Sequence, residues 1–270
     1  MTGKNNPIGL FDSGVGGLTV AHAISSILPQ EQLVYYGDTA HLPYGDKSKE
    51  TIAGYATGIA DFLLEQSCKV ILIACNSASA NAFTEVKEHV GDRAVVLNVL
   101  DPVIEHVAAS ADANNIGVIG TRATIASNSY HDGILKRNPR LSVSSLATPL
   151  FVPMIEEGFV FDDISNAIIR AYLSGQELND IDTLILGCTH YPIIRNQISR
   201  FYNFEVNVID TARLVAEYLQ RYLQQNDMLA LERAGENRYY VSDHTSTFST
   251  IANMFFTEKI NLVKHSIWGG

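Results

Sequence analysis

The chain has 270 residues, of which 46% are hydrophobic and 18% are charged, so it is long enough to form two domains with substantial cores. Its formal net charge of −10 argues against a nucleic-acid partner, because phosphate backbones are bound by basic surfaces. No apolar run approaches the roughly 20 residues of a membrane span. The polar residues 1–6 do not resemble a signal peptide. These features predict a soluble, cytoplasmic protein without a membrane partner.

Short apolar runs alternate with segments of helical periodicity along most of the chain. The runs lack polar alternation, which is typical of strands that are covered on both faces. They occupy residues 8–11, 33–36, 70–74, 94–97, 116–119, 141–146, 183–186 and 206–209. Between them, residues 51–66 and 212–223 place apolar side chains on one helical face. Such alternation predicts an α/β fold built on mostly parallel sheets.

A weak internal repeat predicts two similar halves. Residues 8–14 resemble residues 116–122, and residues 70–77 resemble residues 183–190 at nearly the same spacing. We therefore expect two pseudo-symmetric, doubly wound domains whose sheets face a central cleft.

The expected domain I comprises residues 1–98 plus 211–270, and the expected domain II comprises residues 99–210. The C-terminal segment contains strand-like residues 238–241 and 260–263 and helix-like residues 247–256. We expect this segment to return and complete domain I.

Two cysteines occupy matching positions of the repeat. Ligands of doubly wound sheets bind beyond the carboxyl ends of strands, and Cys75 and Cys188 each follow such an end. Facing halves would bring them to opposite sides of one cleft. That arrangement suits a racemase, which removes a proton from one face of a carbon and delivers a proton to the other. The third cysteine, Cys68, is expected to be a core residue.

Each cysteine of the pair is expected to precede a helix, whose N-terminus would lower the thiol pKa and favour the thiolate. Asp12 and His190 are the candidate helpers for Cys75 and Cys188, although Asp12 could instead cap the first helix. The chain has an odd number of cysteines, which disfavours a disulfide framework. It has neither CxxC nor HExxH spacing, which disfavours a zinc site. No lysine follows a strand end, so a pyridoxal phosphate cofactor is not expected.

Six segments carry a pattern that goes beyond the repeat. They include Ala-Cys-Asn-Ser-Ala-Ser at residues 74–79 and Leu-Gly-Cys-Thr-His-Tyr-Pro at residues 186–192. The others are residues 11–17, 36–45, 120–124 and 149–158. Together, these segments resemble the glutamate racemase family of the aspartate/glutamate racemase superfamily. By this resemblance, Cys75 and Cys188 are the catalytic bases. Asp12, Glu156 and His190 assist them, with Glu156 chosen over Glu157.

The substrate-binding prediction combines the resemblance with the polar side chains at strand ends. The predicted residues are Asp12, Ser13, Pro43, Tyr44, Gly45, Asn76, Ser77, Thr121, Thr124, Thr189 and His190. Ser77 stands where the family commonly has threonine, and it keeps the hydroxyl. The resemblance further implies a homodimer that interconverts L- and D-glutamate without a cofactor. Its product would supply peptidoglycan synthesis, and hence cell-wall formation and cell shape.

Without the family resemblance, the residues are also compatible with other functions. Cys188 and His190 are also the pair of a Cys–His hydrolase, in which Cys75 would be dispensable. A racemase of aspartate or another amino acid, and a non-catalytic binder of a dicarboxylate or protein, are further alternatives.

The first strand also begins a pattern that resembles a dinucleotide-binding fingerprint. Gly14 and Gly16 follow this strand, and Asp38 ends the second strand, where such proteins bind a ribose. Thr19 stands in place of the third glycine, which weakens this alternative.

Overall fold

Two parallel β-sheets organise the protein. The structure is a computed structural model that describes residues 3–244, 248, 252 and 260–268. The first four strands are β1 (Ile8–Asp12), β2 (Leu33–Gly37), β3 (Val70–Ile73) and β4 (Val95–Asn98). They are followed by β5 (Asn115–Gly120), β6 (Ser142–Ala147), β7 (Thr183–Gly187), β8 (Asn207–Val208), β9 (Arg238–Val241) and β10 (Leu262–Lys264).

The two sheets repeat one topology. The first sheet has the order β10-β9-β2-β1-β3-β4, and the second sheet has the order β6-β5-β7-β8, with every pair parallel. The order β2-β1-β3-β4 therefore matches β6-β5-β7-β8 strand for strand. The predicted α/β class with two similar, mostly parallel sheets is confirmed.

The C-terminal strands extend the first sheet. β9 pairs with β2, and β10 pairs with β9. The strand predicted at residues 260–263 lies slightly later, at Leu262–Lys264. The predicted helix at residues 247–256 falls outside the described residues, apart from Phe248 and Ala252. From the strand membership of the two sheets, we propose the domain division stated above, with residues 1–98 plus 211–270 set against residues 99–210.

Helices cover the outer faces of both sheets. They are α1 (Leu18–Ile27), α2 (Lys49–Glu65), α3 (Asn76–Val90), α4 (Leu100–Ala109), α5 (Arg122–Ala126), α6 (Ser129–Arg137), α7 (Phe151–Glu156), α8 (Asp163–Leu173), α9 (Arg195–Phe201) and α10 (Thr211–Gln225). Local sequence explains several starts: the Ser48 side chain caps α2, and Asp162 forms a capping box with Ser165 at α8. Within the described ranges, no helix has the length and apolar character needed to span a membrane.

Within the described residues, three apolar clusters hold these layers together. The first lies between the first sheet and α1 and α10, and it continues into the second sheet through residues such as Val118 and Ile185. The second joins the opposite face of the first sheet to α2 and α3. The third joins the second sheet to α7, α8 and α9. Because the first cluster is shared, the two sheets are packed as neighbours, with their carboxyl-end loops facing one another.

Candidate active site

The loops after the strands enclose one small cavity between the two sheets. Its enclosed volume is about 20 Å³, roughly the space of a single water molecule. It is lined by Ser13, Leu42, Pro43, Tyr44, Gly45, Cys75, Asn76, Ser77, Thr121, Val152, Glu156, Cys188, Thr189 and His190. The structure therefore brings together most of the residues that the sequence singled out, including both cysteines of the repeat.

Two predicted residues lie just behind the cavity wall, and two wall residues were not predicted. Asp12 is fully buried, and Thr124 is bonded to the Ser77 and Thr121 hydroxyls at 3.3 and 3.1 Å. Leu42 and Val152 line the cavity but carry no reactive group. Their only signal in the sequence was their position inside the segments that resemble a known family.

Cys75 closes the cavity on the side of the first sheet. It follows β3 and is the N-cap residue of α3, as expected, and its Sγ donates to Ser13 Oγ at 3.7 Å. Burial raises the pKa of the Cys75 thiol to about 12, and the negative charge of Asp12 adds to this effect. The backbone N–H groups of Ala78 and Ser13 oppose the shift but do not reverse it. The prediction of a lowered thiol pKa was therefore wrong for Cys75, because burial outweighs the helix N-terminus.

Cys188 closes the cavity on the side of the second sheet. It follows β7, but the next helical turn is the 3-10 turn Tyr191–Ile194 rather than an α-helix. The expected helix N-terminus is therefore missing at this cysteine. A histidine takes its place, because Cys188 Sγ lies 3.8 Å from His190 Nδ1.

His190 links Cys188 to a carboxylate. Its Nε2 lies 3.1 Å from Glu156 Oε1, while the neighbouring Glu157 is exposed. Burial by itself lowers the pKa of His190, but hydrogen bonds with Cys188 and Glu156, together with their negative charges, raise it well above its usual value. The imidazolium form is thus favoured between two acidic groups.

Asp12 ties the first helix to the second sheet. Its Oδ2 accepts the backbone N–H groups of Gly14 at 3.1 Å and Gly17 at 3.0 Å, and its Oδ1 accepts the Thr189 hydroxyl at 3.4 Å. Among the bonds recorded for the described residues, none joins Asp12 to Cys75. Its influence on that thiol is through charge. Its hydrogen bonds join the loop before α1 to the second sheet, and no side chain caps α1, so the alternative role as a helix cap is not observed.

Two glycines of the first half lie close against the second half. A Cβ added at Gly16 would lie 2.5 Å from His190 Nδ1, and one added at Gly45 would lie 2.6 Å from Thr121 Cβ. The exposed ion pair between Arg122 and Asp46, 2.9 Å long, also crosses between the halves. The two halves are therefore in direct contact beside the cavity.

The geometry disfavours dinucleotide binding. Asp38 is fully buried, and its carboxylate is engaged by the side chains of His41, Tyr44, Ser242 and Trp268 at 2.6–3.0 Å. Gly16 faces the second half of the protein rather than an open groove. In the part of the chain that the structure describes, no group of three or more His, Cys, Asp or Glu side chains is placed to hold a metal ion.

Residues 18–219 match the pattern of the Asp/Glu/Hydantoin racemase family, and this range is most of the chain. The chain belongs to this family. Within it, the glutamate racemase of Geobacter metallireducens is 40% identical over 254 residues, which are 94% of this chain and 93% of the relative.

Solved structures of family members have the same fold. The glutamate racemase of Francisella tularensis in complex with D-glutamate is 41% identical, with a TM-score of 0.90 over 98% of each chain. A glutamate racemase isoform of Bacillus anthracis is 32% identical, with a TM-score of 0.92 over 97% of this chain and 98% of that chain. The two-sheet architecture described above is therefore that of glutamate racemases.

Proposed function

We propose that this member of the racemase family interconverts L-glutamate and D-glutamate, with Cys75 and Cys188 as its two acid–base groups and without a cofactor. The observation that carries the proposal is that both cysteines line one enclosed cavity, at corresponding ends of β3 and β7. The choice of glutamate rests on the relatives, which are glutamate racemases, one of them bound to D-glutamate.

The proposed reaction moves one proton in and one proton out. A thiolate on one side removes the Cα proton, and the electron pair of the broken C–H bond delocalises into the adjacent carboxylate. The thiol on the opposite side then protonates Cα, so that the carbon has inverted and the two cysteines have exchanged protonation states. No atom is gained or lost, and the reverse reaction uses the same two groups.

The two sides of the cavity are electrostatically unequal. Burial and the charge of Asp12 favour the thiol form of Cys75. On the other side, Cys188 Sγ lies 3.8 Å from His190 Nδ1, and the raised pKa of His190 favours its imidazolium form. We therefore propose that Cys75 is in the thiol form in the closed, substrate-free enzyme.

Polar groups around the cavity can hold the substrate. The N-terminus of α3 offers backbone N–H groups at Asn76 and Ser77, which suit a carboxylate. Thr121 and Thr189 add hydroxyl groups from the second sheet. Among the described residues that line the cavity there is no lysine, which fits a reaction that proceeds without a Schiff base.

The size of the cavity implies an opening step. A volume of about 20 Å³ has no room for an amino acid, so glutamate must enter while the two halves are separated. Renewed closure would exclude water from the carbanion-like transition state. The inter-sheet contacts at Gly16 and Gly45 are the contacts that would break and re-form.

The cellular role is proposed from the family resemblance. The enzyme would act in the cytoplasm as a homodimer and supply D-glutamate for peptidoglycan. Expression in a bacterium that requires external D-glutamate is expected to restore growth without the supplement. Light scattering of the purified protein is expected to give twice the chain mass.

The central test is circular dichroism of L-glutamate and, separately, of D-glutamate with purified protein freed of metals and pyridoxal phosphate. Both enantiomers are expected to decay to the racemate, and in D₂O the product is expected to carry deuterium at Cα. Cys75→Ala and Cys188→Ala are each expected to abolish the signal. Cys68→Ala is the matched control, because Cys68 is also buried but belongs to the apolar core and not to the cavity.

Other outcomes separate the alternatives. Racemisation of aspartate but not glutamate would keep the mechanism and change the substrate. An activity that survives in Cys75→Ala but not in Cys188→Ala would contradict the two-cysteine proposal and favour the Cys–His hydrolase.

A further inference from the structure

Tyr130 lies behind the cavity, where it touches the segments of both cysteines. It belongs to α6, and its side chain is 3% exposed. Its ring packs against the backbone before Cys188, since a Cβ added at Gly187 would lie 3.4 Å from the ring. Its hydroxyl reaches across to the first half of the protein and bonds to Asn76 Oδ1 at 2.8 Å. Tyr130 is therefore in contact with the residue after Cys75 and the residue before Cys188.

The direction of the hydrogen bond follows from burial. Burial raises the pKa of the Tyr130 hydroxyl well above its usual value, and the negative charge of Cys188 raises it further. The hydroxyl therefore keeps its proton, and a buried O–H group without an acceptor would be costly. The bond to Asn76 is the one recorded for this hydroxyl among the described residues. Tyr130 is thus the donor, and the oxygen of the Asn76 amide is the acceptor.

This bond decides which end of Asn76 faces the cavity. A side-chain amide has an acceptor oxygen at one end and two N–H donors at the other, and the two ends have nearly the same shape. With Oδ1 held by Tyr130, the Nδ2 donors are left to the cavity, which Asn76 lines. No recorded hydrogen bond of the described residues uses Nδ2. A rotated amide would instead present its oxygen to an anionic substrate and repel it.

We infer that Tyr130 is a positioning residue, which turns the two Nδ2–H donors of Asn76 into the cavity to bind a carboxylate oxygen of the substrate. The inference rests on the proposed glutamate racemase function. It concerns substrate binding more than proton transfer, because Tyr130 itself does not line the cavity. Its removal should therefore affect KM more than kcat.

A double-mutant cycle tests the inference. Tyr130→Phe, Asn76→Ala and the double variant are compared with the wild type by circular dichroism, starting from each enantiomer of glutamate. Tyr130→Phe is expected to raise KM about tenfold and to lower kcat by much less. In the Asn76→Ala background the same change is expected to alter KM less than twofold, because the amide through which Tyr130 acts is gone.

The matched control is Tyr191→Phe. Tyr191 is also buried on the second half of the protein, and its hydroxyl bonds to Thr148 away from the cavity. This variant loses a buried hydrogen bond of the same kind, and we expect its KM to stay within twofold of the wild-type value. Thermal unfolding of all variants measures how much the loss of each hydroxyl lowers the stability of the fold, separately from its effect on KM.

Each outcome bears on the inference. The inference would be overturned if Tyr130→Phe raised KM by the same factor in the wild-type and Asn76→Ala backgrounds. It would also be overturned if Tyr191→Phe raised KM as much as Tyr130→Phe does. A wild-type protein that does not racemise glutamate would overturn the proposed function and this inference with it. A wild type that is active but shows additive effects would overturn the inference alone.

Discussion

The backbone of Gly16 lies so close to His190 that a Cβ added to the glycine would fall 2.5 Å from the imidazole Nδ1. The same Cβ would lie 2.6 Å from the Thr189 hydroxyl oxygen. Non-bonded heavy atoms do not approach so closely, so any side chain at position 16 must displace the side chains of His190 and Thr189. The position of His190 beside Cys188 therefore depends on residue 16 being a glycine.

Gly16→Ala is expected to lower kcat/KM at least about 100-fold, because a displacement on the order of 1 Å at a catalytic group has effects of this size. The matched control is Gly54→Ala in α2, where an added Cβ meets no atom within 4 Å. The control is expected to keep activity within twofold and to gain slightly in helix stability. Near-normal activity of Gly16→Ala would show that the closed contact is not needed for turnover.

Glu156→Gln is expected to move the alkaline limb of the kcat profile to lower pH. The hydrogen bond and charge of Glu156 help to raise the pKa of His190, after the contribution of Cys188. Without that charge, the imidazolium loses its proton at a lower pH, and the positive charge beside Cys188 is lost earlier. Profiles of kcat between pH 6 and pH 10 (a range of about four units around the histidine and thiol values) would measure the shift.

Glu157→Gln provides the control for this profile. It removes the same charge from the next residue, which is exposed. Its alkaline limb is expected to coincide with that of the wild type. An unmoved limb in Glu156→Gln would mean that Glu156 does not act through His190.

Cys68→Ala is expected to make stability less sensitive to alkaline pH. Burial raises the pKa of the Cys68 thiol to about 12 in the folded protein. Because the folded pKa is the higher one, the stabilising contribution is complete below the unfolded value and is lost as the pH rises above it. Between pH 8 and pH 10 the free energy of unfolding of the wild type should fall by about 1.5–2 kcal/mol through this thiol, and that of the variant should not.

Urea unfolding under reducing conditions at both pH values gives the comparison. The loss of packing in Cys68→Ala destabilises the variant equally at both pH values. The difference in the free energy of unfolding between wild type and variant should therefore be smaller at pH 10 than at pH 8. A gap that stays constant would contradict the raised pKa of Cys68.

Lys69→Met is expected to destabilise the fold without altering the active site. Lys69 and Glu31 form a buried ion pair of 2.7 Å at the amino ends of β3 and β2, the edge opposite the cavity. Loss of the ammonium strands a buried carboxylate, and we expect the free energy of unfolding to fall by about 3–5 kcal/mol. Replacing Glu31 with Leu as well should recover much of this loss, with kcat/KM unchanged.

The exposed pair of Lys49 and Glu85, 2.9 Å apart, is the control. Lys49→Met is expected to leave the free energy of unfolding nearly unchanged, because solvent screens this pair. If both lysine substitutions cost the same free energy, the buried pair would not be a special element of stability.

The sequence predicted the features that follow from local patterns of residues, namely the buried strands and the equivalent positions of the two cysteines. Uninterrupted apolar runs identified the buried strands, and the repeat predicted that Cys75 and Cys188 occupy equivalent strand ends. Those two observations were sufficient to place both thiols at one cleft. The topology agrees, since β3 and β7 hold the same place in their sheets.

The sequence did not predict effects that depend on distant parts of the chain. Burial of Cys75 beside Asp12 reverses the expected direction of its thiol pKa, and neither cause is visible in the residues around position 75. The turn after Cys188 is 3-10 rather than α-helical, with Pro192 in its first turn. Asp38 was a candidate ribose ligand until the structure placed Trp268 on its carboxylate.

The hydrogen bond from Trp268 to Asp38 also has a consequence for synthesis of the protein. Tyr44 of the cavity wall donates to the same carboxylate, so the wall is supported by a residue made 230 positions after Asp38. A ribosome that has translated only as far as β8 has already produced both cysteines and every residue that lines the cavity. Such a nascent chain contains both cysteines, but the Asp38 carboxylate that binds Tyr44 does not yet have its hydrogen bond from the Trp268 indole.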